Sequence, residues 1–108
     1  IKGVLEIKTR YMTLDKLMGP YNGEWLITKS KLDRGMQLAL GLRCPFVGLL
    51  VLPNSGICLS KQISDKDGNW TCGFREEVTK TSASVNGGEM TGLNAFIDMT
   101  EAKQFKIL

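Results

Sequence analysis

Hydrophobic and polar residues alternate over the first eleven positions of the chain, and this period of two predicts a β-strand. Two faces result, an apolar one with Ile1, Leu5, Ile7 and Tyr11 and a charged one with Lys2, Val4, Glu6, Lys8 and Arg10. Glu6 and Lys8 are therefore expected to be neighbours on one side of a stiff element.

The next two strong patterns are a helix and an apolar strand. Apolar residues recur at helical spacing between positions 31 and 43, and Cys44-Pro45 ends that helix. The run 46–52 is apolar without alternation, which predicts a strand buried on both faces. Because the helix joins the first strand to this buried strand, we expect a crossover that leaves the two strands parallel or near neighbours.

The rest of the chain has the patterns of further strands and a final helix. Short strands are predicted at 24–27, 57–63, 70–74, 76–84 and 94–99, with a turn at 65–69 and a loop at 86–88. Thr100 is placed to cap a helix over 101–108. The sequence thus predicts one domain of mixed α/β (α+β) class, in which a mixed β-sheet is combined with a crossover helix, a buried strand, a β-meander and a C-terminal helix.

Composition and charge exclude several classes of protein. The 14 Lys and Arg residues exceed the 11 Asp and Glu residues by 3, which permits a nucleic-acid partner without requiring one. Histidine is absent and the three cysteines form no C-x-x-C, so a zinc site or a Ser-His or Cys-His catalytic pair within these 108 residues is excluded. No apolar run reaches the roughly 20 residues that span a bilayer. We expect an intracellular protein of the cytoplasm or nucleus, without a membrane partner, rather than a secreted one.

The charged pair on the first strand allows two interpretations. Two opposite charges at i and i+2 on a half-exposed strand need have no function. Alternatively, a carboxylate that holds a divalent metal, beside a lysine that positions or activates water, is an arrangement suited to hydrolysis. The order of the elements that follow favours the second interpretation.

Leu5-Glu6-Ile7-Lys8-Thr9, the predicted helix and the apolar strand 46–52 occur in the same order as in the PD-(D/E)XK, or restriction-endonuclease-like, nucleases. Over roughly residues 1–52 the chain resembles the part of that superfamily that carries the E-x-K strand. The resemblance implies a phosphodiester hydrolase that uses Mg²⁺ or Mn²⁺ and binds nucleic acid, with DNA favoured over RNA.

The resemblance also implies roles for particular residues. Glu6 and the main-chain carbonyl of Ile7 would be metal ligands, and Lys8 would position or activate water and stabilise charge in the transition state. Gln37 on the helix would support the site. Four basic residues would hold the phosphate backbone, aided by the N-terminal end of the helix: Arg10, Lys29, Lys31 and Arg34.

One feature of the family has no counterpart in this sequence. The family carries an acidic residue, usually Asp, on the strand before E-x-K, and here nothing precedes Ile1. The chain opens inside a predicted element, so we expect an upstream segment, or a partner chain, to supply that residue. Two alternatives are a rearranged site in which Asp15 or Asp98 substitutes, and a degenerate relative that keeps the fold without the activity.

A non-catalytic module that binds nucleic acid or protein is the alternative function. Trp70, Phe74 and Arg75 would then present a contact surface. Tyr21 and Trp25 would stack nucleic-acid bases, although aromatic residues of this kind more often close a core. The sequence is also compatible with a structural subunit and with a homodimer.

Overall fold

The computed structural model describes residues 2–82 and 89–107, so the predicted loop at 86–88 lies outside the described residues. Two helices and seven strands follow one another along this part of the chain: β1 (Val4–Thr9), α1 (Leu14–Met18), β2 (Glu24–Thr28), α2 (Lys29–Gly41), β3 (Phe46–Leu52), β4 (Ile57–Ser64), β5 (Phe74–Ser82), β6 (Glu89–Asp98) and β7 (Lys103–Lys106). A 3₁₀ turn, Pro53–Ser55, joins β3 to β4. The mixed α and β class predicted from the sequence is confirmed.

The strands form two sheets. The first has the order β1-β3-β4-β7 and is mixed, because β1 is parallel to β3 while the other pairs are antiparallel. The second has the order β2-β6-β5 and is antiparallel. The predicted parallel pairing is confirmed, since α2 lies in the connection between β1 and β3. Among the described strands, β1 and β2 are each at the edge of their sheet.

The predicted C-terminal helix is wrong. Residues Lys103–Lys106 instead form β7, which pairs with β4 with Phe105 opposite Cys58. A helix over 101–108 would have few hydrogen bonds to offset the cost of nucleation. The free edge of β4, in contrast, offers the backbone a partner that is already in place.

The β-meander predicted after residue 46 is shorter than expected. β3 and β4 form a hairpin, but β5 pairs with β6 in the second sheet. Residues 70–74 return alongside β4 only at their start, where Trp70 forms a bridge with Ser64 and the Thr71 N–H donates a hydrogen bond of 2.8 Å to the Ile63 carbonyl. The two last predicted strands are present as β5 and as a longer β6.

The helix α2 packs on the first sheet through a glycine. A Cβ at Gly35 would lie 2.7 Å from the ring carbons Cε1 and Cε2 of Phe46 on β3, so only a glycine allows the helix to come so close. Leu32 and Ala39 on the same helix are completely buried. None of the helices in the described ranges combines the length and the apolar character that a membrane crossing requires.

The core is built by both sheets together with α2. Its members include Phe46, Leu50 and Leu52 on β3, Leu59 and Ile63 on β4, Trp25 and Ile27 on β2, Ile97 on β6 and Leu32 on α2. The alternation of buried residues along β3 shows that one face of the first sheet points into this core. The other face is open, so the prediction that the strand 46–52 is buried on both faces is wrong: Val47, Leu49 and Val51 are only partly buried.

The orientation of β1 is the reverse of the one that the hydrophobicity of its two faces favours. Lys8 is opposite Leu50, which is buried in the core, so the charged face of β1 points to the inner side of the sheet. Leu5 and Ile7 point to the outer side and are 53% and 58% exposed. A strand placed by hydrophobic burial alone would adopt the opposite orientation.

Two glycines of α2 provide a matched test of the helix–sheet contact. We expect Gly35→Ala to lower the free energy of unfolding by about 1–3 kcal/mol, because the new methyl group overlaps the Phe46 ring. A Cβ at Gly41 would have no neighbour within 4 Å, so Gly41→Ala should raise the free energy of unfolding by up to about 1 kcal/mol through helix propensity. Urea unfolding of both variants checks this, and effects of the same sign would contradict the packing described.

Candidate functional site

A cleft of about 120 Å³ opens between β1 and β2, on the charged face of β1. Its lining defines the β1–β2 cleft: Glu6 and Lys8 of β1 with the following Arg10, Trp25, Leu26, Ile27 and Thr28 of β2, and Lys31 of α2. Four residues that the sequence singled out, Glu6, Lys8, Arg10 and Lys31, are therefore brought together in one place.

The indole of Trp25 forms the inner wall of this cleft. Glu6 is opposite Gly48 of β3, and the Trp25 ring lies in the space that a side chain at position 48 would occupy, with Cζ3 at 2.6 Å from such a Cβ. Trp25 is only 2% exposed, and its indole N–H has no hydrogen-bond partner within the described part of the chain. The ring thus joins β2 to β3 and places an apolar surface beside Glu6.

The first turn of α2 borders the β1–β2 cleft, because Thr28 and Lys31 both line it. Thr28 precedes the first helical residue, yet its hydroxyl does not cap the helix, and Thr28 Oγ1 is buried without a partner among the described residues. The first turn of the helix carries no acidic residue. The positive end of the helix dipole is therefore not neutralised locally, which favours an anion in the cleft.

The charge of the cleft is positive. Lys8, Arg10 and Lys31 contribute three positive charges against the one negative charge of Glu6, a formal sum of +2. In residues 2–82 and 89–107, no ion pair involves Glu6, Lys8 or Lys31. Arg10 donates a long hydrogen bond of 3.4 Å to the carbonyl of Thr9. Unpaired positive charge in a narrow cleft attracts an anionic ligand.

Lys29, which the resemblance implied as a phosphate-binding residue, lies outside the cleft. Its ammonium group is 2.6 Å from Asp33 Oδ1 and 3.5 Å from Glu76 Oε1, so it links α2 to β5. The hydrogen bond to Asp33 raises the pKa of Lys29 above its ordinary value. The charge of Lys29 is thus used within the fold.

Arg34 and Gln37 occupy different positions relative to the cleft. Arg34 lines a neighbouring cavity of about 360 Å³ that shares Glu6 and Lys31 with the β1–β2 cleft, so it extends the basic surface along β1. Gln37 is exposed on α2 and lines neither cavity. The structure therefore brings Arg34 near Glu6, and it does not bring Gln37 there.

A divalent metal, as the resemblance implies, would find few protein ligands in the cleft. Within the described residues, no group of three Asp, Glu, Cys or His side chains is arranged to hold a metal, and Glu6 is the one carboxylate that lines the cleft. Asp98 accepts hydrogen bonds from Thr100, and Asp15 lies on α1, so neither reaches Glu6 in the cleft. Magnesium is often held by one or two carboxylates together with water and substrate phosphate. Of the two implied ligands, Glu6 lines the cleft and Ile7 is not among its lining residues, so such an ion would depend on a bound phosphate for its other ligands.

The aromatic and cationic surface considered for a binding module is engaged in internal contacts. Trp70 is 40% exposed and packs edge to face on Phe74, with ring centroids 5.1 Å apart. Arg75 donates hydrogen bonds of 2.9 and 3.0 Å to the carboxylate of Glu24, and its guanidinium lies 4.0 Å from the Phe96 ring centroid. The Arg75 charge is therefore paired, unlike the basic charges of the cleft.

Sequence reasoning missed the contribution of β2 to the site. The segment 24–27 was expected as a short extended piece, and its role as the second wall of the cleft was not foreseen. The missed signal is that no turn separates Glu24–Thr28 from α2. The end of β2 therefore lies at the first turn of the helix, beside the cleft.

Comparisons with protein-family models, with curated proteins and with solved structures give no match for this chain.

The pH dependence of stability distinguishes Lys29, whose charge is paired within the fold, from Lys31, which lines the β1–β2 cleft. Since the Lys29 pKa is raised on folding, its ion pairs stabilise the fold below the ordinary lysine pKa of about 10.4, and this contribution is lost as the pH rises through the folded-state pKa. We expect Lys29→Met to lower the free energy of unfolding at pH 7 by about 0.2–1 kcal/mol, and the difference from wild type to disappear at high pH.

Lys31→Met serves as the control, because Lys31 has no ion pair to lose within the described residues. Urea unfolding at pH 7 and above pH 11 measures both variants. An equal loss for Lys31→Met, or a loss for Lys29→Met that persists at high pH, would contradict this assignment.

Proposed function

We propose that this chain is a nuclease-like domain that binds the phosphate backbone of nucleic acid in the β1–β2 cleft and hydrolyses a phosphodiester with Mg²⁺ or Mn²⁺. The observation that carries the proposal is the orientation of β1. Glu6 and Lys8 point into the cleft while Leu5 and Ile7 remain more than half exposed outside. Hydrophobic burial does not account for this orientation, and a requirement to present a charged site would.

The residues of the cleft have complementary parts in such a reaction. Lys8, Arg10 and Lys31, with the N-terminal turn of α2, would hold the phosphate oxygens and offset the negative charge that grows as water attacks phosphorus. Lys8, which lies on the same face of β1 as Glu6, would orient the attacking water. Glu6 and the Ile7 carbonyl would hold the divalent metal, which supplies further charge neutralisation when bound.

A second function follows if the site lacks a further acid. Glu6 is the one carboxylate lining the cleft within the described residues, while three basic side chains surround it. One carboxylate among three basic side chains favours the binding of phosphate more strongly than the binding of a metal ion. The alternative is thus a non-catalytic module that holds nucleic acid in the same cleft.

Cleavage and binding assays on the same variants test both functions. Labelled single- and double-stranded DNA and RNA are incubated with Mg²⁺ or Mn²⁺, and binding is measured by anisotropy in EDTA at several salt concentrations. We expect Lys8→Met to reduce cleavage by about 100-fold or more, because it removes a group that stabilises transition-state charge. It should also weaken binding and reduce the salt slope by about 0.7–0.9 per lost phosphate contact.

Glu6→Gln and Lys103→Met are the matched controls. Glu6→Gln should abolish cleavage without weakening binding, because it removes a negative charge from a basic cleft. Lys103 lies on the outer face of the same sheet, opposite Ser60, so Lys103→Met should leave both activities unchanged. Binding that depends on Lys8, with no cleavage under either metal, would establish the non-catalytic module. Binding and cleavage that are both indifferent to Lys8→Met would contradict the proposal.

A further inference from the structure

A second cavity adjoins the β1–β2 cleft and differs from it in character. It has a volume of about 250 Å³ and is walled mainly by apolar side chains, namely Met12, Leu17, Tyr21, Leu26 and Leu50. Arg10, Trp25 and Leu26 line both this cavity and the cleft, so the two lie side by side. We call it the Tyr21 cavity.

Tyr21 is the aromatic side chain with free surface here. Tyr21 is 48% exposed, whereas Trp25 is 2% exposed and serves as a wall, as aromatic residues that close a core do. Two hydrogen bonds hold the backbone of Tyr21. The Tyr21 N–H donates to the Lys16 carbonyl at 3.3 Å, and the Glu24 N–H donates to the Tyr21 carbonyl at 3.0 Å. The Lys16 ammonium lies 6.0 Å from the ring centroid, at the outer limit of a cation–π contact. The ring is therefore both accessible and anchored.

The charge of the Tyr21 cavity does not oppose an anionic strand. Its acidic residue, Glu24, is already bound by Arg75 through two hydrogen bonds of 2.9 and 3.0 Å. Its basic residue, Arg10, has no ion pair within the described residues and is shared with the cleft. A ligand that crosses from one cavity to the other thus meets positive charge at the junction.

We infer that the Tyr21 cavity takes the base of the nucleotide whose phosphate lies in the β1–β2 cleft, and that the substrate is a strand with an unpaired base at that position. This inference rests on the proposed function. Apolar walls and an accessible aromatic ring suit the face of a base and offer nothing to a phosphate, while the neighbouring cleft has the opposite character. In an intact duplex the bases are stacked inside the helix, so only a single-stranded or extruded nucleotide reaches such a cavity.

Binding of matched single-stranded and duplex oligonucleotides tests the inference. The probes are one DNA sequence as single strand, as duplex and as a single strand with abasic sites, each with a fluorescent end label, measured in EDTA. We expect Tyr21→Ala to weaken binding of the single strand by about 5- to 150-fold, as for loss of a stacked base. It should leave the duplex and the abasic strand nearly unchanged.

Two further tyrosine variants control for the fold and for general aromatic effects. Tyr21→Phe keeps the ring and should bind like wild type. Tyr11, which is 79% exposed and lines neither cavity, should be replaceable by alanine without effect. A single strand that carries 2-aminopurine gives a direct readout with the unmodified protein, because insertion beside Tyr21 quenches its fluorescence.

The outcomes separate the inference from the function on which it rests. If Lys8→Met weakens binding but Tyr21→Ala does not, or if Tyr21→Ala weakens binding of single strand and duplex equally, the inference that the Tyr21 cavity takes a base is wrong, while phosphate binding in the β1–β2 cleft is retained. If Lys8→Met leaves all three probes bound as tightly as wild type, the proposed function fails and the inference fails with it.

Discussion

The contact between Trp25 and Gly48 is the constraint on which the candidate site depends. The indole lies where a side chain at position 48 would project, so the edge strand of one sheet is held against the interior of the other. Any larger residue at position 48 would push β2 away, because the nearest ring atom is already 2.6 Å from the Cβ position. The width of the β1–β2 cleft, and the apolar surface beside Glu6, follow from this one contact.

The orientation of β1 leaves apolar side chains exposed on the outer face of the first sheet. Leu5 and Ile7 remain more than half exposed, and each forgoes on the order of 1 kcal/mol of the stabilisation that full burial would provide. Phe105 of β7, opposite Cys58, adds to the apolar outer face and is 52% exposed. The basic residues Lys8, Arg10 and Lys31, which form no ion pair within the described ranges, gather on the other side instead. The distribution is typical of a surface shaped by what it binds rather than by stability alone.

The parts of the fold that were predictable are those with local signals. Alternation identified β1, helical spacing identified α2, and the crossover length implied the parallel pairing with β3. The helix predicted over 101–108 is wrong because the strand conformation of Lys103–Lys106 depends on the edge of β4, 43 to 49 positions earlier in the chain, which no local pattern reports. For the site, Glu6 and Lys8 followed from their spacing. Lys29 and Lys31 could not be told apart, since two positions on a helix differ by about 200° and the choice of face depends on where the helix starts.

The most direct test of the account is a methyl-resolved NMR titration of the protein with a short single-stranded oligonucleotide in EDTA. Leu26 lines the β1–β2 cleft, and Leu49 lies on the outer face of the first sheet opposite Ile7. We expect the methyl signals of Leu26 to shift as the oligonucleotide binds while those of Leu49 stay in place. Shifts at Leu49 without shifts at Leu26, or no shifts at saturating oligonucleotide, would contradict it.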